Sequence, residues 1–309
     1  MPALDGSCRP PLFDELEEDP GDRVDHYELL KSRLIDILVG DRDRSENNYL
    51  WARFDDVDGG NVWRPVPRDR DQAFVQFDGT LKRIGRSYDR RLVRFGEDYP
   101  DIQALTRNAW DIDRNLLVGL DRATWNATVE EVAALLTDDV IREAVSRMPR
   151  EHYAILGPDL EAKLRSRRDD LAEAASEFYE IVFEWSDIHA TDEDEVATID
   201  HLADGSIRVV LQERGPNGES LGSPHFERVF FPNETREIRI YLHGGDDLTR
   251  IRGTGNSPID IRLIGGGGRD EFVNSSAARG IRVFDAGDAT VTTGPGIRFA
   301  NRGAPRPWS

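Results

Sequence analysis

The chain has 309 residues and a formal net charge of −19, from 59 acidic and 40 basic residues. This length favours about two domains, and a hydrophobic content of 38% is enough to build real cores. The excess of acid argues against nucleic acid as a partner, because phosphate binding needs a basic surface. The single cysteine, Cys8, excludes both an internal disulfide and a zinc site built from cysteines.

The sequence also gives expectations about membranes and location. A membrane-spanning helix needs about 18 or more apolar residues. The longest candidate run, Leu34 to Val39, is short and is interrupted by Asp36. Residues 1–20 lack a basic end followed by an apolar stretch, which a secretory signal would have. These features predict no membrane-spanning helix and, from the missing signal, a cytoplasmic location.

The first part of the chain is predicted to contain a helix followed by a hairpin. Residues 1–22 are rich in Pro, Asp and Glu and are predicted to be a loose lead-in. From Val24 to Val39 apolar residues recur every three or four positions, which indicates a helix that Gly40 ends. The runs Tyr49–Phe54 and Val62–Val66, separated by a turn-rich insert, predict a β-hairpin.

The pattern changes near Trp185. Residues 101–186 are predicted to be mostly helical, with one long charged helix from Asp159 to Phe183. Short strands between glycine-rich turns are predicted beyond them, over Val196–Ile199, Ile207–Leu211, Phe226–Phe231, Ile238–Leu242, Ile259–Ile264 and Ile281–Phe284. The predicted fold class is α+β. An α-rich domain over 23–190 includes the hairpin, and a separate all-β domain over 191–309 is either a sandwich or a short β-solenoid.

Two motifs flank the predicted hairpin. The loop Gly40–Asn48 places Asp43 and Asn48 at the separation found in protein-kinase catalytic loops, where the Asp takes the acceptor proton and the Asn holds a metal ion. Directly after the hairpin, Asp69 and Asp71 stand where a kinase carries its metal-binding Asp. The order helix, loop, hairpin, Asp suits phosphoryl transfer. The alternative is that these are ordinary solvated loop residues in a chain rich in Asp and Arg.

At these residues the chain resembles a known family. The stretch Ile37 to Phe74 is similar to the atypical kinase-like family typified by the spore-coat protein H kinases, in the version found within large bacterial outer-membrane barrel proteins. In that version the motifs read roughly G-D-W-D-R-H-x-D-Q/N-W and P-R-D-R-D-Q-A-F. The second motif is intact from Pro67 to Phe74. The first keeps Gly40, Asp41, Asp43, Arg44 and Asn48, and carries Arg42, Ser45, Asn47 and Tyr49 where the family has Trp, His, Asp and Trp.

The resemblance implies specific roles. Asp43 and Arg44 would be catalytic, Asn48 and Asp69 would bind the cofactor, and Asn48, Asp69 and Asp71 would hold Mg²⁺ or Mn²⁺ with ATP. It also implies an unknown phosphate acceptor and a cell-envelope location. A kinase carries a glycine-rich strand pair and a Lys–Glu pair ahead of its catalytic loop, and the roughly 40 residues before Asp43 contain no glycine-rich loop. The chain is therefore expected to be a kinase-like lobe without its N-terminal lobe: a fragment of a longer parent chain, one part of a split gene, or a remnant that no longer catalyses.

The glycine-rich part of the chain suggests a second ion. The stretch Gly265–Val273 fits the calcium β-roll nonapeptide G-G-x-G-x-D-x-U-x, in which Asp270 would be a Ca²⁺ ligand. Looser echoes occur at Gly244–Asp247 and Asp285–Asp288. The alternative is that these residues merely turn the chain between strands. The second functional hypothesis is accordingly a non-catalytic cell-envelope scaffold or interaction module whose β domain binds calcium.

Overall fold

The computed structural model describes residues 11–57, 59–76, 94–278, 280–285, 291–300 and 306–308. It contains both helices and sheets, which confirms the predicted α+β class. The chain divides into two compact units. We call the first the helical unit, formed by His26–Leu50 and Pro65–Phe183, and the second the β-roll unit, formed by Met1–Asp25, Trp51–Arg64 and Glu184–Ser309. In the part of the chain that the model describes, no helix is both long and apolar enough to cross a membrane.

The N-terminal segment differs from the loose lead-in predicted over 1–22. Its described residues form helix α1, Pro11–Glu18, and a two-residue strand, β1, Arg23–Val24. Leu12 and Phe13 of this helix are buried, and burying two such side chains stabilises an otherwise acidic segment. The acidic composition of the segment concealed this apolar pair. Cys8 lies outside the described residues.

The helical unit is built from short helices around an aromatic core. Trp125 is fully buried, packs against the rings of Phe178 and Phe183, and donates its indole N–H to the Ala175 carbonyl at 3.0 Å. The helices in chain order are α2 His26–Val39, α3 Ile102–Thr106, α4 Trp110–Leu116, α5 Arg122–Leu135, α6 Asp138–Ser146, α7 Arg150–Asp169 and α8 Leu171–Phe183.

The long helix predicted from Asp159 to Phe183 is two helices. The first, α7, begins earlier, at Arg150, and runs through Pro158 before it ends at Asp169. The second, α8, begins at Leu171 and buries one apolar face that includes Phe178. The continuous charge and apolar pattern across residue 170 gave no sign of this break.

The predicted hairpin is confirmed. Strand β2, Tyr49–Asp55, and strand β3, Asn61–Pro67, are neighbours in a three-stranded sheet of order β1-β3-β2. Strand β1 pairs parallel to β3. The Asp22 carboxylate accepts from Asn61 and from the indole of Trp63, each at 2.8 Å. The hairpin separates the two motifs along the chain.

The β-roll unit consists of two facing sheets. The five-stranded sheet has the order β14-β12-β10-β8-β4 and is entirely parallel, and the six-stranded sheet has the order β13-β11-β9-β5-β6-β7. The strands are β4 Trp185–His189, β5 Glu195–His201, β6 Ile207–Arg214, β7 Ser220–Phe230, β8 Glu237–Tyr241, β9 Leu248–Gly253, β10 Asp260–Ile264, β11 Glu271–Asn274, β12 Ile281–Phe284, β13 Val291–Thr293 and β14 Ile297–Phe299.

This strand order decides between the two predicted architectures. From β8 to β14 each successive strand joins the opposite sheet, so each coil of the chain contributes one strand to each sheet. Strands that follow one another by one coil then pair in parallel, which is the arrangement of a β-solenoid and not of a Greek-key sandwich. Strands β6 and β7 are an antiparallel extension inserted between coils. The inward side chains, including Ile199, Ile240 and Leu263, are fully buried.

Candidate functional site

The first motif loop begins where helix α2 ends. Gly40 has a φ of 70°, a left-handed conformation that glycine adopts without strain. A Cβ at this position would also meet the ring of Phe95 at 3.0 Å. The backbone N–H of Asp41 then donates to the Asp36 carbonyl at 2.8 Å, which turns the chain out of the helix. Gly40 therefore fixes the direction in which the loop leaves α2.

A buried carboxylate in helix α2 holds the motif loops in place. Asp36 is fully buried and accepts from three guanidinium groups. Arg33 donates at 3.0 Å, Arg70 at 2.9 Å, and Arg44 at both carboxylate oxygens, 2.9 and 3.0 Å. Charge-assisted bonds of this kind are the strong ones, and a bidentate Arg fixes geometry as well as energy. Asp36 therefore connects helix α2 to both motif loops.

A second buried pair extends this network. Arg33 donates to both carboxylate oxygens of Asp113 in α4, at 2.7 and 3.0 Å. Burial raises the pKa of Asp113 to about 6, while the adjacent Arg33 acts in the opposite direction. The two short bonds from Arg33 favour the ionised form of Asp113. The network is thus electrostatically paired inside the helical unit.

Arg44 holds the two motifs side by side. Its side chain is 1% exposed and also donates to the Asp41 carboxylate at 2.8 Å. Its remaining nitrogen donates to the carbonyls of Asn48, at 3.1 Å, and Arg68, at 2.6 Å. The Arg68 amide donates to the Asn48 carbonyl at 2.9 Å. The two loops, separated in sequence by the hairpin, are therefore adjacent, and Arg44 is placed to position them.

The candidate base and the candidate amide ligand lie in the first loop. Asp43 is exposed, and its carboxylate accepts from the Asn108 amide at 3.1 Å. The Asn48 side-chain oxygen accepts from both the backbone N–H and the hydroxyl of Ser45, at 3.0 and 2.6 Å. Ser45, which stands where the resembled family has His, thus braces the 3₁₀ turn Glu46–Asn48.

The paired aspartates follow the end of strand β3. Asp69 has a φ of 55°, a left-handed conformation that Asp tolerates better than most residues. Both Asp69 and Asp71 are exposed, and the Asp71 carboxylate accepts from the Gln72 amide at 3.2 Å. Neither residue belongs to a strand, so they present carboxylates from a turn.

The described carboxylates do not converge on one point. In the ranges that the structure describes, no three His, Cys, Asp or Glu side chains are grouped as a ready-made metal site. The motif loops are brought together through Arg44 and backbone bonds, whereas Asp43, Asp69 and Asp71 remain solvated on them. A metal there would be held by a few exposed oxygens and by its own ligands from the nucleotide and water, as Mg²⁺ commonly is.

A polar cleft elsewhere in the helical unit contains none of the predicted residues. Its volume is about 580 Å³. The side chains that line it include both acidic and basic groups, among them Arg94, Asp98, Lys163 and Asp170. The sequence motifs do not point to this cleft.

The remaining candidate, Asp270, lies in the β-roll unit at the turn between β10 and β11. It is 1% exposed, and its Oδ1 accepts from the backbone N–H of Asp247 at 3.2 Å. It therefore belongs to a different unit from the two motif loops, and it lies beside Asp247, which belongs to the looser glycine-rich echo. Asp288, in the other echo, lies outside the described residues.

Asp36 and Asp113 are the site residues that the motif analysis missed. Asp36 interrupts the apolar run from Leu34 to Val39, and a charged residue on a buried helix face is informative because such residues are buried only when paired. Of its three Arg partners, Arg33 lies at the helical i,i+3 spacing, whereas Arg44 and Arg70 come from sequence positions that no spacing rule connects to Asp36.

Comparison with known proteins adds no relative. No family model matches the chain. No curated protein matches it, and no solved structure matches it. The functional argument therefore rests on the residues and their geometry.

Proposed function

We propose that the helical unit is a divergent kinase-like phosphotransferase lobe that binds a divalent metal together with a nucleotide. The observation that carries this proposal is the buried Arg44 side chain, which bonds to the carbonyls of both Asn48 and Arg68. Phosphoryl transfer needs a proton acceptor and metal-holding carboxylates on neighbouring loops, and little further covalent chemistry from the protein. The two motifs, with the sequence order of a kinase lobe, occupy neighbouring loops here.

Each residue of the two loops has a distinct role in this proposal. Asp43 accepts the proton of the phosphate acceptor. Asp69 and Asp71 hold Mg²⁺ or Mn²⁺, since these hard cations prefer carboxylate oxygen. Bound metal supplies charge neutralisation on the phosphates. Arg44 positions the loops without touching the substrate, and Asn48 joins the metal shell only if its amide oxygen is released from Ser45.

The test is thermal unfolding of the full chain with and without Mn²⁺ and ATP. A ligand that binds only the folded state stabilises it by about 2.7 kcal/mol at a hundredfold excess over its dissociation constant. We expect a saturable rise in Tm for the intact chain, and loss of that rise in Asp69→Ala and Asp71→Ala. Both residues are exposed, so the variants retain the fold.

The matched control is Asp139→Ala, which removes an exposed aspartate from helix α6. It should keep the full response to Mn²⁺ and ATP. An intact, folded chain that shows no response would contradict the proposal. So would a response that both motif variants retain.

A second candidate function is a non-catalytic cell-envelope scaffold or interaction module. The parallel coils of the β-roll unit favour it, because a stack of coils is a rigid and extensible support that needs no catalytic group. The same unfolding experiment separates the two candidates. A scaffold predicts that the chain ignores Mn²⁺ and ATP, and that Asp43→Ala, Asp69→Ala and Asp71→Ala leave every measured binding property unchanged.

A further inference from the structure

The turns that lead into the six-stranded sheet are in register. Parallel pairing aligns Val196 with Leu248, and Leu248 with Glu271. The residue immediately before each of these three is acidic: Glu195, Asp247 and Asp270. Three successive coils therefore place an acid at the same position. We call these three residues the inner acid column.

In two of these coils the residue before the buried acid is itself an acid, but it is exposed to solvent. Asp194 and Asp246, one residue earlier in two of these coils, are exposed, whereas the inner acid column is at most 1% exposed. The exposed acids cap backbone N–H groups of the next coil: Asp194 accepts from Asp246 at 2.7 Å, and Asp246 accepts from Arg269 at 2.8 Å. Capping of a turn thus accounts for the outer acids.

Capping does not account fully for the inner acid column. Asp247 Oδ1 accepts from the Glu195 backbone N–H at 2.9 Å, and Asp270 Oδ1 accepts from the Asp247 backbone N–H at 3.2 Å. The second oxygen of each aspartate, Oδ2, is buried and has no hydrogen-bond partner. A buried carboxylate oxygen without a partner is costly, because nothing replaces the water it has lost.

A third carboxylate approaches the same turn. A Cβ built on Gly265 would come closer than 3.0 Å to both Asp270 Oδ2 and Asp285 Oδ1. Both oxygens therefore lie beside the space that a side chain at residue 265 would fill. By contrast, the Glu195 carboxylate is already engaged by the backbone N–H and the hydroxyl of Thr191, each at 2.9 Å, and lies 3.2 Å from His225.

The electrostatics of the column agree with this geometry. Burial raises the pKa of Asp247 to about 9, and the nearby acids Glu195 and Asp270 raise it further. Burial likewise raises the pKa of Asp270 to about 7, with Asp285 adding to the effect. A backbone hydrogen bond from Asp247 and the charge of Arg214 act in the opposite direction on the pKa of Asp270. Like charges buried together favour whatever neutralises them.

We propose that the two buried aspartates Asp247 and Asp270 bind a divalent cation of the calcium type between successive coils of the β-roll. Calcium accepts six to eight oxygen ligands in flexible geometry, so backbone carbonyls and water complete the shell that these carboxylates begin. The cation neutralises the column and ties coils together through side chains, in addition to their backbone ladders. This site is independent of the proposed phosphotransferase loops.

The test uses the full chain, freed of metal with a chelator, and CaCl₂ as the only added ligand. Calorimetric titration and thermal unfolding report binding and stabilisation. We expect a saturable heat and a rise in Tm for the intact chain. Asp247→Asn and Asp270→Asn should each weaken Ca²⁺ binding at least tenfold. Because Asn keeps the shape of Asp and removes its charge, the metal-free variants should unfold at a Tm equal to or above that of the intact chain.

Two controls make the result specific. Asp246→Asn removes charge from the outer, exposed position of the same turn and should leave Ca²⁺ binding unchanged within twofold. Asp69→Ala with Asp71→Ala should also retain it, which separates this site from the motif loops. The proposal is overturned if the intact chain shows no saturable Ca²⁺ response, if Mg²⁺ reproduces the response at equal concentration, or if both Asn variants bind as well as the intact chain.

Discussion

In the helical unit the buried acids of the network are hydrogen-bonded to guanidinium groups. In the β-roll unit the acids of the inner acid column instead occupy the same position in successive coils, beside one another. Asp36 accepts from three guanidinium groups and Asp113 from one, all within 3.0 Å. Asp247 and Asp270 instead bond to backbone N–H groups through one oxygen each and bury the other without a partner. The helical network is complete from the protein alone.

The buried charges of the helical network therefore have partners within the protein, whereas two carboxylate oxygens of the β-roll unit do not. A paired buried network can be replaced by apolar residues without loss of stability, so its value lies in fixing one arrangement of the loops it joins. Asp247 and Asp270 of the inner acid column each bury one oxygen without a partner, and a proton or a cation would neutralise them. The comparison therefore predicts that removing an acid destabilises the first unit and relieves the second.

The largest expected effect is on the paired side of the comparison. Asp36→Ala leaves Arg33 and Arg44 buried without their shared partner, and breaking a buried pair typically costs about 3–5 kcal/mol. Urea unfolding followed by circular dichroism measures the change. Asp139→Ala, at an exposed pair with Arg142, is the control and should be close to neutral. Equal unfolding midpoints for the two variants would show that the network does not carry the stability assigned to it.

The sequence predicted part of the fold. Helix α2, the hairpin and the strands β8, β10 and β12 were recovered, because each has a clear apolar period or a continuous apolar run. The strands that alternate with them along the chain in the six-stranded sheet, β9, β11 and β13, were missed. A strand such as Leu248–Gly253 carries two arginines and only two large apolar residues, so its burial is decided by the coil around it.

The candidate site was predictable to a similar extent. The motif spacing proposed Asp43, Asn48, Asp69 and Asp71 as site residues, the glycine pattern proposed Asp270, and these assignments stay predictions. Spacing could not reveal that Arg44 is buried beneath the loops, nor that Asp270 has Asp247 as its neighbour on the preceding coil. Both facts depend on contacts between residues 20 or more positions apart.

The next largest expected change in stability concerns how closely successive coils of the β-roll unit pack. Gly268 and Gly280 have nearly the same left-handed backbone, with φ of 84° and 86°. A Cβ on Gly268 would collide with the Gly245 carbonyl of the preceding coil, whereas a Cβ on Gly280 meets nothing within 4 Å. Gly280→Ala should cost about 1–2 kcal/mol for the backbone alone. Gly268→Ala should cost about 1–3 kcal/mol more, and urea unfolding of both variants measures the difference. Equal losses of unfolding free energy in the two variants would mean that neighbouring coils shift to make room for the added methyl group.

A smaller effect concerns another unpaired group of the β-roll unit. His201 is buried, neither ring nitrogen has a hydrogen-bond partner, and burial lowers its pKa from the ordinary 6.5, although Asp200 opposes the shift. Below pH 6.5 the unfolded chain therefore binds a proton that the folded chain resists. The contribution of His201 to stability should therefore fall as the pH drops through 6.5, by up to about 1.4 kcal/mol per pH unit for one proton. The raised pKa values of Asp247 and Asp270 act in the opposite direction, so the His201 contribution is the difference between the intact chain and a variant without this histidine.

The measurement is the free energy of unfolding between pH 5 and 8 in the presence of a chelator. His201→Leu should remove much of the loss on the acidic side. His152→Gln, which changes an exposed histidine, should leave the profile as it is in the intact chain. An unchanged slope in His201→Leu would assign the pH dependence to other groups.

The smallest expected change in stability concerns the first motif loop. The comparison predicts that the buried charge network around Asp36 sets the path of this loop, so that the loss of one hydroxyl changes little. Ser45→Ala removes the hydroxyl that donates to Asn48 at 2.6 Å but leaves Arg44 and its carboxylate partners in place. Loss of one such bond should cost about 0.5–1.5 kcal/mol. Ser146→Ala is the matched control, since its exposed hydroxyl bonds to a helix carbonyl at 2.8 Å and should cost less. Ser45→Ala removes one of the two bonds that the Asn48 amide oxygen accepts, while the backbone N–H of residue 45 still donates to it at 3.0 Å. The variant should therefore not weaken the Tm response to Mn²⁺ and ATP, and a strengthened response would support a place for Asn48 in the metal shell. A loss of several kcal/mol would instead mean that the hydroxyl, and not the buried charge network, holds the loop.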